Sequence, residues 1–381
     1  MDFNFNPDQT QFADALKRWI ARDYGFEARR AIIRSEAGTS DAAWATLAEL
    51  GMTALPVPEE QGGFAGTAVD MFVVMQELGR GLVVEPYFAT VLGAEFLRLA
   101  GTHGELLERV ASGELKLACA LGERQSRHDM FDIATRAEQS GDGWLLNGEK
   151  KVVIHGAQAG MLVVSARSGG GQRDADGVSL FVMPASTPGI TITDCHTLDG
   201  LRAADVRFEN VAAPAGSLIG AAGAGGEILD AALDYGAGLL CFEALGAMEA
   251  LFQATLEYLK TRQQFGAPIG KFQALQHRMA DMYIHLEQAR SMALLAAVKL
   301  GSADTGERRR AVSAAKYRIN QAARFVGQQA VQLHGGMGVT DELPASHYFK
   351  RLAMIELTLG DADHHLARFI AQPGFAQAEA A

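Results

Sequence analysis

The hydrophobic spacing of this 381-residue chain changes twice, and the two changes limit the folds that it can adopt. Up to about residue 115, apolar side chains recur at helical spacing, as at Phe12, Leu16 and Ile20. From residue 116, short apolar runs are separated by Gly, Asp and Asn, which is typical of strands and turns. From about residue 225, long helical patterns return. The chain is therefore predicted to form helices, then a β-domain, then a helical bundle.

We place domain boundaries at these changes. The prediction is an α+β fold with an N-terminal helical domain (1–115), a middle β-barrel or β-sandwich (116–221) and a C-terminal four-helix bundle (222–381). Helix starts are predicted at Asn6, which precedes a proline, and at Thr67, which has an aspartate three residues later.

The middle region carries the strand signals. Residues 144–154 predict two strands joined by a turn at Asn147-Gly148, because Asn-Gly is a strong hairpin signal. Other predicted strands lie at residues 161–166, 178–183, 190–193 and 206–208, with a glycine-rich hairpin tip at 169–177. The predicted bundle helices are 228–261, 272–300, 308–333 and 348–370.

Composition excludes several classes of function. The formal net charge of −11 argues against a nucleic-acid or anionic membrane partner. No long charge-free apolar segment is evident, so no membrane span is predicted, and the N-terminus does not resemble a signal peptide. Three scattered cysteines predict a reducing, cytoplasmic setting without disulfides or a metal site.

Two motifs in the last region point to a ligand. Arg262, Gln264 and Phe265 directly precede a Gly-Ala-Pro-Ile-Gly turn, and a guanidinium there can hold a phosphate through paired hydrogen bonds. A structural alternative is an arginine that simply favours a helix C-terminus. The second motif, residues 332–338 (QLHGGMG), ends a long helix with a glycine pair whose backbone can approach a ligand closely.

Together these motifs resemble the C-terminal signatures of the flavin-dependent acyl-CoA dehydrogenases. Residues 58–63 resemble the family's PEE-x-GG loop, 144–150 its "DGYxLNGxK" segment and 208–214 its "FxxVxVP" strand end. The resemblance extends over nearly the whole chain and implies the same three-part fold.

The resemblance also implies a chemistry. A carboxylate base removes a proton beside the thioester of an acyl-CoA, and FAD accepts a hydride from the next carbon. It implies FAD bound between subunits and electron-transfer flavoprotein as the electron acceptor. The residues that it assigns to FAD are Arg262, Gln264, Phe265, Gln332, Gly335 and Gly336.

The catalytic base departs from the family pattern. The glutamate of the family's YEG motif aligns with Gly360, and the base of a second branch aligns with Gly236. Neither glycine can accept a proton. Glu356, Asp361 and Asp234 are weak alternatives, since each is more typical of a solvated acid or a helix cap; Glu356 would share a face with residue 360 if that segment is helical.

The flavin platform departs as well. Residues 122–129 lack the Pro and Gly of the family's "TEPxAGSD" loop, and residues 152–156 replace its "WITNG" strand, without the Trp and Thr. The histidines at 334, 364 and 365 are interpreted as structural, because no metal-ligand spacing accompanies them.

These features favour one subunit of a mixed acyl-CoA dehydrogenase, which completes the FAD site of a base-bearing homologue. The chain looks most like the small subunits of bacterial heteromeric enzymes such as pimeloyl-CoA dehydrogenase, on residues 124–127 and 360–365. Two alternatives stay open: a self-sufficient homo-oligomer that uses a displaced carboxylate, and a non-catalytic CoA- or flavin-binding assembly protein. The acyl group is not predicted.

Overall fold

A computed structural model of the protein describes residues 5–372. The α-helices are α1 (Pro7–Asp23), α2 (Phe26–Arg34), α3 (Asp41–Glu49), α4 (Ala68–Gly81), α5 (Tyr87–Ala100), α6 (Gly104–Ala111), α7 (Gly226–Thr261), α8 (Gln273–Lys299), α9 (Thr305–His334), α10 (Pro344–Leu357) and α11 (Ala362–Ile370). The strands are β1 (Leu117–Ala120), β2 (Arg136–Ser140), β3 (Gly143–Ile154), β4 (Met161–Arg167), β5 (Val178–Pro184), β6 (Ile190–His196), β7 (Arg202–Ala213), β8 (Leu218–Ile219), β9 (Gln263–Gln264) and β10 (Ala267–Pro268). The predicted order of helices, strands and helices is confirmed.

Two helices begin where local capping chemistry predicts. At the start of α1, the Asn6 side chain accepts a hydrogen bond from the backbone of Gln9, and the Gln9 side chain accepts one from the backbone of Asn6. At the start of α4, the backbone N–H of Thr67 donates to the carboxylate of Asp70 at 2.7 Å. Both arrangements satisfy backbone N–H groups that the first helical turn leaves without partners.

The chain divides into two compact units that do not follow the sequence order. Among the described residues, one unit combines 5–29 with Thr67–Val83 and 237–372. The other combines Arg30–Gly66 with Val84–Gly236. The division into three consecutive domains at residues 115 and 221 stays a prediction.

The second unit contains one mixed eight-stranded sheet in the order β6-β7-β3-β2-β4-β5-β8, and β1 pairs in parallel with β4. Side chains from six strands share one apolar core, and the rings of Trp144 on β3 and Phe181 on β5 meet at 6.0 Å although those strands are not neighbours. The sheet therefore curls around its own core, as a barrel or sandwich does.

The predicted hairpin at Asn147-Gly148 is wrong. β3 runs unbroken through this pair and stays paired with β7 on both sides of it, with a register shift between Leu146 and Gly148. The Asn147 side chain accepts a hydrogen bond from the backbone of Asn210 on β7 at 2.8 Å. The Asn-Gly pair forms a bulge, and the hairpin turn lies earlier, between β2 and β3.

Helices α4 and α7 touch through glycines in the first unit. A Cβ atom on Gly246 of α7 would lie 1.7 Å from the carbonyl oxygen of Gln76, and one on Gly79 of α4 would lie 2.0 Å from the carbonyl oxygen of Glu243. Only glycine permits this approach of the two backbones.

Helix α7 is long and apolar but not charge-free, since it contains Glu243 and Glu249. It is 36 residues long, and its most apolar window has a mean hydropathy of 1.4, enough in length and composition to cross a membrane. In the protein 78% of that window is buried, as in the core helix of a folded domain.

The last predicted helix, 348–370, is two helices. α10 ends at Leu357 and α11 starts at Ala362, because Leu359 and Gly360 adopt positive φ angles of 54° and 111°. Asp361 then caps α11 by accepting a hydrogen bond from the backbone of His364 at 2.8 Å.

Candidate functional site

The first motif forms a small exposed hairpin rather than the last turn of a helix. α7 ends at Thr261, and β9 and β10 follow, closed by a hydrogen bond from the backbone of Ile269 to the carbonyl of Arg262 at 2.9 Å. Arg262 and Gln264 are exposed. Within residues 5–372, the Arg262 guanidinium makes no ion pair or hydrogen bond, so it is available to an anionic group.

Phe265 stands at the tip of this hairpin with 91% of its surface exposed and a φ of 53°. Its ring meets the edge of Phe272 at 5.9 Å. A large apolar side chain in such a position loses the benefit of burial, and a non-glycine residue at positive φ is uncommon. Exposed apolar side chains of this kind mark contact surfaces when they are grouped.

The second motif ends α9 as predicted. Gly335 follows His334 with a φ of 59°, and neither it nor Gly336 has an atom near the position that a Cβ would occupy. Gln332 and both glycines are exposed. The backbone here is open to the close approach of a ligand.

The structure brings the two motifs together. Tyr258, in the last turn of α7, stacks on His334 at the end of α9 with ring centres 4.5 Å apart, and its hydroxyl donates to the carbonyl of His334 at 3.4 Å. Burial lowers the pKa of His334, so the ring stays neutral at neutral pH. The ends of α7 and α9, which lie beside the two motifs, are therefore in direct contact.

Position 360 lies in the break between α10 and α11. Side chains from α9 and α11 stabilise this break through hydrogen bonds. The ammonium of Lys316 donates to the carbonyl of Ile355 at 2.6 Å and to the side chain of Asn320 at 3.1 Å. The imidazole Nε2 of His365 lies 2.9 Å from the carbonyl of Leu359. Both side chains are almost fully buried. Burial lowers the pKa of Lys316 to about 8 and holds the pKa of His365 well below its ordinary value.

Each of the three alternative carboxylates is ion-paired, used as a helix cap or buried. Glu356 is buried and pairs with Arg324; it lies inside α10, whereas residue 360 lies beyond the end of that helix. Because the segment is not helical at residue 360, the condition for a shared helical face is not met, and Glu356 is buried rather than solvated. Asp361 is a helix cap, as expected. Asp234 is buried on α7, two residues before the buried Gly236.

Sequence reasoning missed a buried ion pair behind the segment that aligns with the flavin loop. The Lys150 ammonium, fully buried, donates to Glu123 at 2.8 Å, to the carbonyl of Leu121 at 3.1 Å and to Ser165 at 3.1 Å. Burial alone would raise the pKa of Glu123, but Lys150 lowers it below its usual range. The pair ties residues 121–135 to the sheet.

The end of β3, which aligns with the flavin-facing strand, is strained. Val152 is 56% exposed and has a φ of 53°, a genuine outlier for a β-branched residue. His155 has a φ of 55° and is buried, with its Nε2 atom 2.9 Å from the carbonyl of Val84. Strained backbone of this kind concentrates at functional sites.

Within the part of the chain that the structure describes, no group of three or more His, Cys, Asp or Glu side chains is placed to hold a metal ion. The three cysteines are free.

Comparison with known families matches almost the full length. The models for the N-terminal, middle and C-terminal domains of acyl-CoA dehydrogenases match residues 6–114, 118–211 and 223–372. The chain is 32% identical to the probable acyl-CoA dehydrogenase YngJ of Bacillus subtilis, over 83% of this chain and 85% of that protein. It is 31% identical to the mitochondrial short-chain specific acyl-CoA dehydrogenase of Rattus norvegicus, over 83% of this chain and 78% of that protein.

Solved structures agree. The fold matches a Tcur3481-Tcur3483 steroid ACAD variant with a TM-score of 0.88 and 29% identity, covering 98% of this chain and 99% of that one. It also matches the ChsE4-ChsE5 complex from Mycobacterium tuberculosis with a TM-score of 0.87 and 26% identity, covering 97% of this chain and 97% of that one.

Proposed function

Because this chain belongs to the acyl-CoA dehydrogenase family, whose members are FAD-dependent oxidoreductases, we propose that it serves as a subunit that lacks its own catalytic base and completes the FAD site of a base-bearing homologue. The observation that carries this proposal is the contrast between an exposed Arg262, which has no partner within residues 5–372, and a base position that has no side chain.

The reaction class sets the requirements. A carboxylate must remove a proton beside the thioester, and hydrogen-bond donors must stabilise the charge that develops on the thioester oxygen. FAD supplies the acceptor for the hydride, which protein side chains cannot provide.

The state of the carboxylates supports the missing base. Residue 360 offers no proton acceptor, Glu356 is paired with Arg324, and Asp361 is used as a helix cap. A general base needs an unpaired carboxylate within reach of the reacting carbon. Use of Glu356 would require its buried ion pair to break, and use of Asp361 would remove the cap of α11.

The exposed motifs support a role toward another chain. The Arg262 guanidinium suits a diphosphate, and the open backbone at Gly335 and Gly336 suits close contact with a nucleotide. We assign Arg262, Gln264 and Phe265, with Gln332 and the two glycines, to the FAD of a partner. Two of the structural relatives are named as pairs of different proteins, Tcur3481-Tcur3483 and ChsE4-ChsE5, so the fold is compatible with such assembly.

The chain's own flavin platform is weaker. Val152 and Ile154 replace the aromatic and hydroxyl groups that the family aligns there, so this surface offers neither a ring to stack on a flavin nor a hydroxyl to bond it. Electron-transfer flavoprotein as the acceptor, and a cytoplasmic setting, stay predictions.

Co-purification tests the proposal. We expect the chain alone to be poor in flavin by its visible spectrum and inactive in acyl-CoA oxidation with an artificial acceptor. Mixed with a homologue that carries glutamate at the position of Gly360, it should give a yellow, active complex. Arg262→Ala should weaken FAD binding to that complex by about 10- to 100-fold, because a charge-assisted hydrogen bond contributes roughly 1.5–3 kcal/mol.

Lys260→Ala is the matched control. Lys260 is an exposed cation two residues from Arg262, paired with Glu257 at 2.7 Å, so its loss removes the same charge without touching the assigned contacts. A yellow, active protein without a partner would overturn the proposal and favour a homo-oligomer. Inactivity with every base-bearing homologue would also overturn it and favour an assembly protein.

A further inference from the structure

The space beside Gly360 is already filled. A Cβ atom built on Gly360 would lie 2.5 Å from Nε2 and 2.8 Å from Cδ2 of His365, and 2.6 Å from Cδ2 of His364. Real Cβ atoms essentially never come closer than 3.0 Å to another heavy atom. We infer that position 360 is a closed site, plugged by the His365 imidazole, rather than a base site that has merely lost its side chain.

The plug is fixed in place. His365 is 2% exposed, and its Nε2 atom is held by the carbonyl of Leu359 at 2.9 Å. The ring of His364 meets it edge-on at 5.1 Å with an interplanar angle of 85°. An imidazole enclosed on these sides cannot swing away without giving up its hydrogen bond and its burial.

The backbone conformation at position 360 also disfavours a side chain there. Gly360 has a φ of 111°, which residues with side chains rarely adopt. A glutamate at 360 therefore meets a strained backbone and an occupied volume together. His365, being enclosed, is a positioning residue for the break and does not itself reach a substrate carbon.

The filled position at 360 follows from the packing alone. What it means for catalysis rests on the proposed function, in which position 360 is the missing base site. The subunit cannot regain a base at 360 by a single substitution, because the ring must also leave. The loss of the base is thereby built into the packing of α11 against α9 and against the break at Leu359 and Gly360.

A double-mutant cycle on the full chain tests the plug. Thermal unfolding is measured for the wild type, Gly360→Ala, His365→Ala and the double variant. We expect Gly360→Ala to lower the Tm of the wild type by at least about 2 °C more than it lowers the Tm of His365→Ala, because only the first background contains the ring. Gly301→Ala, where no atom lies within 4 Å of the new Cβ, is the control and should leave the Tm nearly unchanged.

Equal losses of Tm in the two backgrounds would refute the plug and leave backbone strain as the whole effect. Imidazole nitrogen NMR of the unmutated chain gives an independent measurement. We expect the His365 ring to carry its proton on Nε2 and not to titrate between about pH 8 and 6, whereas titration near the ordinary histidine pKa of about 6.5 would place the ring in solvent and overturn the inference. Neither measurement depends on activity, so a failure of the proposed function would be seen separately.

Discussion

Replacing Lys150 by methionine removes the only cation in contact with the buried Glu123 carboxylate among residues 5–372. The side chains have similar length, so the change deletes a charge and three donated hydrogen bonds while keeping most of the volume. Burial lowers the pKa of Lys150 to about 8, so the ammonium is charged at neutral pH and balances the carboxylate.

The expected cost follows from what remains around Glu123. Breaking a buried ion pair by removing one partner costs about 3–5 kcal/mol, because the other charge is left without compensation. Glu123 keeps three donors, the backbones of Ala134 at 2.8 Å and Thr135 at 3.1 Å and the side chain of Gln125 at 2.9 Å. We therefore expect the lower end, about 3 kcal/mol.

Urea unfolding at neutral pH measures this loss. Lys151→Met is the matched control, since Lys151 is the next residue and pairs with Asp205 near the surface, so its loss should be much smaller. The double variant Lys150→Met with Glu123→Gln should recover part of the stability, because the amide is uncharged. Equal losses for Lys150→Met and Lys151→Met would refute the reasoning.

Two further predictions concern the first unit. Gly246→Ala should lower the free energy of unfolding by about 1–3 kcal/mol, because its Cβ would collide with the carbonyl of Gln76. The control Gly301→Ala should change the free energy of unfolding by no more than about 0.5 kcal/mol. Urea unfolding of both variants measures the difference, and equal effects would contradict the close contact between the helices. His365→Phe should make stability less dependent on pH below about 6.5. The pKa of His365 is lowered in the folded state, so the contribution of its neutral ring to stability is present above the unfolded pKa and is lost as the pH falls. The loss amounts to at most about 1.4 kcal/mol per pH unit. Unfolding measured from pH 7 to 5 should show a shallower slope for the variant than for the wild type, and parallel slopes would contradict it.

The parts of the fold that sequence predicts well are those fixed by neighbouring residues. Asn6 and Thr67 start helices because the groups that cap them lie three residues away, within one turn. The glycine after His334 ends α9 for a similarly local reason.

The wrong predictions lie where pairing between residues that are far apart in the sequence determines the local structure. Asn147-Gly148 has the chemistry of a tight turn, but β7 pairs with both halves of β3 and turns the pair into a bulge. Apolar residues continue past Leu359, so helical periodicity alone runs through the break, although Gly360 marks it.

The exposed residues of the candidate site stand out in the sequence, whereas its buried groups do not. Arg262 and Gly335 carry motifs that can be read directly, whereas Lys150 and Lys316 look like ordinary surface lysines. One signal was available for Lys316: it lies one turn after Val312 and three residues before Ile319, on the apolar face of α9, where a charge needs a partner.

The stack of Tyr258 on His334 links the lengths of two helices that are far apart in sequence. Inserting one residue into α9 ahead of His334 would turn that ring by about 100° and move it by about 1.5 Å, away from Tyr258. The same holds for an insertion into α7. Lineages that keep both motifs must therefore conserve the register of both helices together, even where the residues in between are free to change.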